Sequence, residues 1–272
     1  MSDADGDLSA LLDAMEHTWA SIIALAESLR PEEFALPTRC PGWDVHDQIA
    51  HIASLERQLV GGELPPEAPD APYIRNPVGA RMERGVHALR GCPPAELVAT
   101  LRTAIDARRT ALQANPPRAG DKITGVMGNP VPAEASLPIR VFDLWAHEQD
   151  VRVATNRPGN ESGPGAAVGR DAILALLPMY WAKNAGAQPG QALTLRVTGA
   201  LPFERTVVVG QDGWASYAAD GEPCEPVAEV ELDWLDLVAR ANGRTAADET
   251  PVTITGDRAM ASAVVDALPM SP

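Results

Sequence analysis

The chain has 272 residues, of which 45% are hydrophobic and 22% are charged. This mixture excludes a disordered chain, and the length suits one large domain or two ordinary ones, of which we expect two. The formal net charge is −15, and no stretch concentrates Lys and Arg. We therefore expect neither nucleic acid nor an anionic membrane as a partner, because both bind concentrated basic surfaces.

Two further features concern the cellular compartment. No segment reaches the roughly 18 apolar residues that cross a bilayer, and the N-terminal residues are acidic where a signal peptide is basic, so we expect a cytoplasmic protein. The cysteines Cys40, Cys92 and Cys224 are odd in number and include no Cys-x-x-Cys pair. Neither a disulfide framework nor a thiolate zinc site is indicated.

The first two thirds of the chain carry apolar residues at helical spacing. Asp44 is the expected N-cap of the second helix. A proline-rich connection is predicted over 115–137, and Pro138 is the expected first residue of the next helix. The predicted helices span 8–29, 45–59, 77–90, 95–114, 138–154 and 165–183.

Near Gly186 the pattern changes to short segments rich in branched residues, separated by Gly, Pro and Asp, which is typical of strands. Helices are predicted again at 232–242 and 257–267. The sequence therefore predicts an α+β protein, with a helical domain over 1–185 and a small α+β domain over 186–272.

One group of residues points to chemistry. His51 lies on the buried side of the second predicted helix, and Asp143 and His147 are four residues apart on one helix face. A buried carboxylate requires a cation, either a metal or an arginine such as Arg140 or Arg152. Two imidazoles and a carboxylate suit a catalytic zinc site with one open position. On these residues alone, a hydrogen-bonded His–Asp pair or a salt bridge is the more frequent alternative to a metal.

Two segments, TRCPGWDVHDQIAHI and RVFDLWAHEQDVR, together with the α+β tail, resemble the mycothiol-dependent maleylpyruvate isomerase family. The resemblance covers nearly the whole chain. It implies a DinB-like four-helix bundle followed by a small, sterol-carrier-like α+β domain.

The resemblance also implies a ligand set and a cosubstrate. His51, Asp143 and His147 correspond to the residues that bind a divalent metal in that family, with zinc as the expected ion. The thiol of mycothiol would bind at the open position, ionise there and attack a small electrophile. Transfer of the thiol and cis-trans isomerisation share this first step.

The sequence departs from the family at one ligand, because the isomerase carries Glu where this chain has Asp143. We therefore favour an S-transferase over a maleylpyruvate-type isomerase. The resemblance also implies a catalytic arginine in the C-terminal domain, for which Arg244 is the candidate. A non-catalytic metal-binding, ligand-binding or regulatory protein and a metal hydrolase are the alternatives from other classes. A monomer and a homodimer both remain open.

Other polar and aromatic residues have simpler interpretations. His46 is expected to be solvated, and Trp43 and Trp145 are expected to be packing residues. Asp150 follows His147 by three residues, so it either accepts a hydrogen bond from that ring or pairs with Arg152 or with solvent.

Overall fold

The computed structural model describes residues 7–68, 70–219 and 224–269. Its internal contacts divide the chain into two units, of which the first ends at Gly169 and the second begins at Arg170. The boundary predicted from the sequence, between 185 and 186, lies further along the chain and stays a prediction. Among the described residues, none of the helices has the length and apolar character needed to span a membrane.

The first unit is mainly helical. Four long helices, α1, α2, α4 and α5, pack together, and α3 packs on α2. A short 3₁₀ helix, Pro31–Ala35, connects α1 to the loop before α2. The helices are α1 (Ser9–Ser28), α2 (Val45–Leu59), α3 (Pro77–Leu89), α4 (Pro94–Ala114), α5 (Ala133–Thr155) and α6 (Pro164–Met179), the last of which crosses the boundary between the units.

Apolar residues at helical spacing explain this bundle. The long helices contribute their apolar side chains to a continuous core in which the largest side chains are fully buried, and α2 buries nearly all of its residues. The N-terminus of α2 follows the prediction, because the Asp44 side chain accepts a hydrogen bond from the Asp47 N–H at 2.9 Å. Core side chains include Met15, Ile22, Ile49, Ile52, Leu97, Leu101, Ile105, Leu137 and Leu144.

The connection before α5 differs from the prediction. Its residues form an antiparallel pair of strands, β1 (Lys122–Thr124) and β2 (Pro130–Pro132), instead of an irregular loop. Helix α5 begins at Ala133, so Pro138 lies inside the helix rather than at its start. The earlier start is stabilised because Ala133 is fully buried and its N–H donates to the Asp121 carbonyl at 2.9 Å.

The second unit contains a five-stranded mixed sheet in the order β5-β4-β3-β6-β7. Strands β3 and β6 are parallel, and the other neighbours are antiparallel. Helices α7 and α8 pack against the sheet, and the sequence-based prediction of an α+β fold is confirmed. The elements are β3 (Ala192–Thr198), β4 (Phe203–Val209), β5 (Ala215–Tyr217), β6 (Ala228–Asp233), α7 (Trp234–Ala241), β7 (Thr253–Gly256) and α8 (Arg258–Ala267).

Candidate metal centre

Helices α2 and α5 pack against each other and bring His51, Asp143 and His147 together. The Nε2 atom of His51 lies 3.3 Å from Asp143 Oδ2, and the Nε2 atom of His147 lies 3.4 Å from Asp143 Oδ1. One ligand atom from each residue falls within 4.8 Å of the other two. The three side chains identified in the sequence therefore converge on one point.

The three residues differ in their exposure. His51 and His147 are buried, whereas about a third of the Asp143 side chain, 33%, is accessible to solvent. The site is therefore enclosed on the histidine side and reached from outside on the carboxylate side. Solvent therefore reaches the carboxylate of this cluster.

Burial and charge set the protonation of this cluster. Burial, followed by the neighbouring His147 ring, lowers the pKa of His51 to about 4, so its imidazole is neutral near pH 7. For Asp143, partial burial favours the protonated form, but the two histidine rings, when they carry a second proton, outweigh it and hold the pKa of its carboxyl well below the usual value. A neutral imidazole and an ionised carboxylate are the forms that bind metals.

Asp143 is held by a buried network of charged side chains. Arg140 is buried, and its guanidinium donates through Nη1 to Asp143 Oδ2. The same guanidinium pairs with the fully buried Glu56 through Nη2 at 2.9 Å, and Glu56 also accepts from the Trp19 indole at 3.1 Å. Of the two arginines expected as partners of Asp143, Arg140 has this role, whereas Arg152 pairs with Glu148 at 2.8 Å.

The Cys-Pro-Gly-Trp segment before α2 forms a tight turn beside the cluster. The Trp43 N–H donates to the Cys40 carbonyl at 3.1 Å, and Gly42 has φ +78°, which together define a type II turn with Pro41 at its second position. Gly42 is required for space as well, because a Cβ there would lie 2.2 Å from the Tyr73 ring. The turn brings the indole of Trp43 close to the candidate ligands.

Trp43 forms one wall of the site. Its ring centroid lies 5.1 Å from that of His51 and 5.7 Å from that of His147. Its Nε1–H donates to Glu83 Oε2 at 2.9 Å, and this buried carboxylate is also held by Arg90. Trp43 therefore packs directly on both histidines, whereas Trp145 is fully buried and donates to the Asn160 carbonyl.

The second nitrogen of His147 has a partner that was not identified from the sequence. Its Nδ1 atom lies 2.5 Å from Gln48 Oε1, whereas Asp150 Oδ2 is 3.7 Å away, beyond hydrogen-bond distance. Gln48 is fully buried on α2 and precedes His51 by three residues, so it shares the same helix face. That spacing was the available signal for Gln48.

A second cluster of possible ligands, Asp44, His46 and Asp47, is explained by the fold. Asp44 caps α2, and Asp47 pairs with Arg90 at 3.1 Å. His46 is partly buried rather than fully solvated, and its Nε2 atom lies 2.8 Å from the Cys92 carbonyl. These contacts give all three side chains structural roles.

Arg244, the candidate catalytic arginine, belongs to the second unit and follows α7. Its Nη1 donates to the Asn242 carbonyl at 2.9 Å, and its backbone N–H donates to the Ala239 carbonyl at 2.8 Å. It belongs to a different unit from the three candidate ligands, and its catalytic role stays a prediction.

These observations define a helical-bundle protein with a two-histidine, one-carboxylate site, followed by a mixed α+β unit. The family model described as the mycothiol maleylpyruvate isomerase N-terminal domain matches residues 15–152, slightly more than half of the chain. The chain therefore belongs to this family, whose characterised members are enzymes, and the resemblance identified from the sequence is confirmed.

Solved structures extend the similarity to the second unit. A crystal structure of the mycothiol-dependent maleylpyruvate isomerase aligns with a TM-score of 0.56 and 19% identity, covering 94% of this chain and 95% of that chain. A histidine-to-alanine mutant of that isomerase aligns with a TM-score of 0.53 and the same identity and coverage. At this identity the likeness shows the fold alone. No curated protein matches the sequence.

Proposed function

We propose that this protein is a metal-dependent enzyme that activates mycothiol, or a related small thiol, as a thiolate for transfer to a small electrophilic substrate. His51, Asp143 and His147 would hold the divalent cation, with zinc as the expected ion. The convergence of these three side chains on one point, with the carboxylate partly exposed to solvent, carries the proposal. Membership in the family supports mycothiol as the thiol.

The spacing of the donor atoms fits a metal. In a tetrahedral site with bonds of about 2.0–2.1 Å, neighbouring ligand atoms lie about 3.3–3.4 Å apart. The His51 nitrogen lies 3.3 Å from Asp143 Oδ2 and the His147 nitrogen 3.4 Å from the other oxygen, Oδ1, and one ligand atom of each of the three residues falls within 4.8 Å of the others. These distances are longer than the usual hydrogen bond between a charged donor and a carboxylate.

The residues of the chain prepare the site for a thiol. The low pKa of His51, about 4, keeps its nitrogen lone pair available near pH 7. Arg140 fixes the Asp143 carboxylate, and Trp43 covers the two rings on one side. When bound, a divalent cation supplies the positive charge that favours the thiolate form of a thiol.

Transfer and isomerisation both remain compatible with this site, because both begin with attack by the thiolate. We favour transfer because Asp143 is shorter by one methylene than the glutamate that the resemblance leads us to expect. Maleylpyruvate-type isomerisation is the second candidate, favoured by the enzyme after which the matching family is named. Arg244 is proposed to assist the chemistry in either case.

Metal content and thiol binding test the proposal. We expect purified protein to contain one divalent metal per chain, and His51→Ala and Asp143→Asn to lose it, with affinities at least about 100-fold lower, since removing a ligand costs more than removing a residue that orients one. His87→Ala, which changes an exposed histidine on α3, is the matched control and keeps the metal.

Mycothiol is then added to the metal-loaded protein, and the midpoint of thermal unfolding is measured. Saturation at about 100 times the dissociation constant stabilises the folded state by about 2.7 kcal/mol, so we expect a clear upward shift. A wild-type protein that binds no divalent metal contradicts the proposal. If mycothiol does not shift the unfolding midpoint of the metal-loaded protein, the result favours a metal hydrolase or a binding protein instead.

A further inference from the structure

We infer that Gln48 is a positioning residue, which fixes the tautomer of His147 so that its Nε2 lone pair faces Asp143 and the cation site. The inference rests on the proposed function and adds to it a residue outside the ligand set. It depends on a chain of hydrogen bonds that begins in the loop before α2 and ends at His147.

The chain begins at Thr38. Its hydroxyl oxygen lies 2.7 Å from the Trp43 carbonyl oxygen. A carbonyl oxygen only accepts hydrogen bonds, so the Thr38 hydroxyl donates its hydrogen to it. The same hydroxyl oxygen accepts from the Cys40 N–H at 3.2 Å and from the side-chain amide of Gln48 at 2.8 Å. A hydroxyl has one hydrogen and two lone pairs, so every position on Thr38 Oγ1 is used.

This saturation fixes the orientation of the Gln48 amide. Because Thr38 has no hydrogen left to donate, the nitrogen of the amide must face it, and Oε1 must face His147. An amide oxygen accepts hydrogen bonds only, so the Nδ1 atom of His147 must carry a proton. The neutral ring then has its lone pair on Nε2.

The consequence appears on the other side of the ring. Nε2 of His147 lies 3.4 Å from Asp143 Oδ1, so in the neutral ring a nitrogen lone pair faces a carboxylate oxygen. Two acceptors at this distance repel unless a cation lies between them. Gln48 therefore prepares a cation site by excluding the tautomer that would close it with a hydrogen bond to Asp143.

Nitrogen NMR of the metal-free protein tests the tautomer directly. At about pH 9, well above the ordinary pKa of histidine, we expect the ¹⁵N shifts of His147 to report a protonated Nδ1 in the wild type. In Gln48→Met, which removes the acceptor at similar side-chain length, we expect a mixture of both tautomers. A wild-type ring protonated at Nε2 overturns the inference, whatever the protein does with metals.

Metal affinity, measured by competition with a chelator using Zn²⁺ alone, provides the second readout. We expect Gln48→Met to lose about 10–100-fold in affinity, the usual effect of removing a partner that orients a metal-binding histidine.

Two control variants separate this role from packing and from Asp150. Gln58→Met makes the same change at a second buried glutamine of α2, whose side-chain amide donates to the Ser54 hydroxyl. It should leave the Zn²⁺ affinity unchanged. Asp150→Asn should also bind Zn²⁺ as the wild type does. If Gln48→Met binds Zn²⁺ like the wild type, or Asp150→Asn weakens binding more, the assignment to Gln48 is wrong. If the wild type binds no Zn²⁺, the proposed function fails instead.

Discussion

The pKa of the Glu33 carboxyl is set by its hydrogen-bond partners. Glu33 lies in the 3₁₀ helix after α1. Its carboxylate accepts hydrogen bonds from Nη1 and Nη2 of Arg157, at 2.6 and 2.9 Å, and from the backbone N–H of Arg30 at 2.7 Å. The bidentate pair with Arg157, followed by the Arg30 N–H, lowers the pKa of Glu33 to about 2. The residue thereby connects the loop after α1 to the loop after α5.

This pKa predicts a pH-dependent contribution to stability. A carboxylate with a lowered folded pKa stabilises the fold fully above its unfolded pKa, about 4.3, and loses that effect as the pH falls through the folded pKa of about 2. We expect Glu33→Gln to lower the urea unfolding midpoint at pH 7 and the deficit to shrink as the pH falls from 5 to 2.

The neighbouring glutamate provides the control. Glu32 is exposed and pairs with the exposed Arg30 side chain, so Glu32→Gln should change the midpoint little at any pH. Equal effects of the two substitutions, or a deficit for Glu33→Gln that does not change with pH, would show that the ion pair with Arg157 has no such role.

At the scale of elements, the turn before α2 determines the position of Trp43. Gly42→Ala forces a side chain into the left-handed region, which costs about 1–2 kcal/mol, and into the Tyr73 ring, which adds about 1–3 kcal/mol as overpacking does. We expect unfolding free energies from urea titration to fall by the sum, with weaker metal binding as Trp43 moves.

Gly61 separates the two contributions. It has φ +89° after α2, and a Cβ there would have no neighbour within 4 Å. Gly61→Ala should therefore show only the backbone cost and leave metal binding intact. If the two alanine variants lose the same stability, contact with Tyr73 does not matter.

The elements also show which parts of the fold the sequence could predict. The long helices were predicted within a few residues, because apolar periodicity and Asp44 specify them locally. The start of α5 was not predicted, because it depends on the burial of Ala133 and on the hydrogen bond from its N–H to the Asp121 carbonyl across a hairpin. Pro138 is a local signal for a helix start, and these tertiary contacts override it.

Of the candidate site, too, only a part could be predicted from the sequence. His51, Asp143 and His147 were found because rare polar residues on apolar helix faces stand out in a sequence, and the family resemblance connected them. Gln48 was missed in favour of Asp150, which is closer to His147 along the chain. Only the packing of α2 against α5 puts Gln48 within hydrogen-bond distance of that ring.

At the scale of the whole molecule, all three candidate ligands lie in the first of the two units. A ligand stabilises only the part of a protein whose unfolding releases it. We therefore expect saturating zinc, at about 100 times its dissociation constant, to slow hydrogen exchange of amides in α2 and α5 by up to about 100-fold. Amides of β3 and β6, in the second unit, should exchange at an unchanged rate.

Asp143→Asn is the control for this experiment, because it removes the charge of a candidate ligand and should abolish the protection by zinc in both helices. Slower exchange in α2 and α5 alone means that the helical unit opens independently and that the cation is held within it. An equal slowing in β3 and β6 would contradict independent opening, because metal binding in one unit would then protect the other as well. Protection that persists in Asp143→Asn would place the zinc at other ligands, since this carboxylate lies between the two imidazole nitrogens.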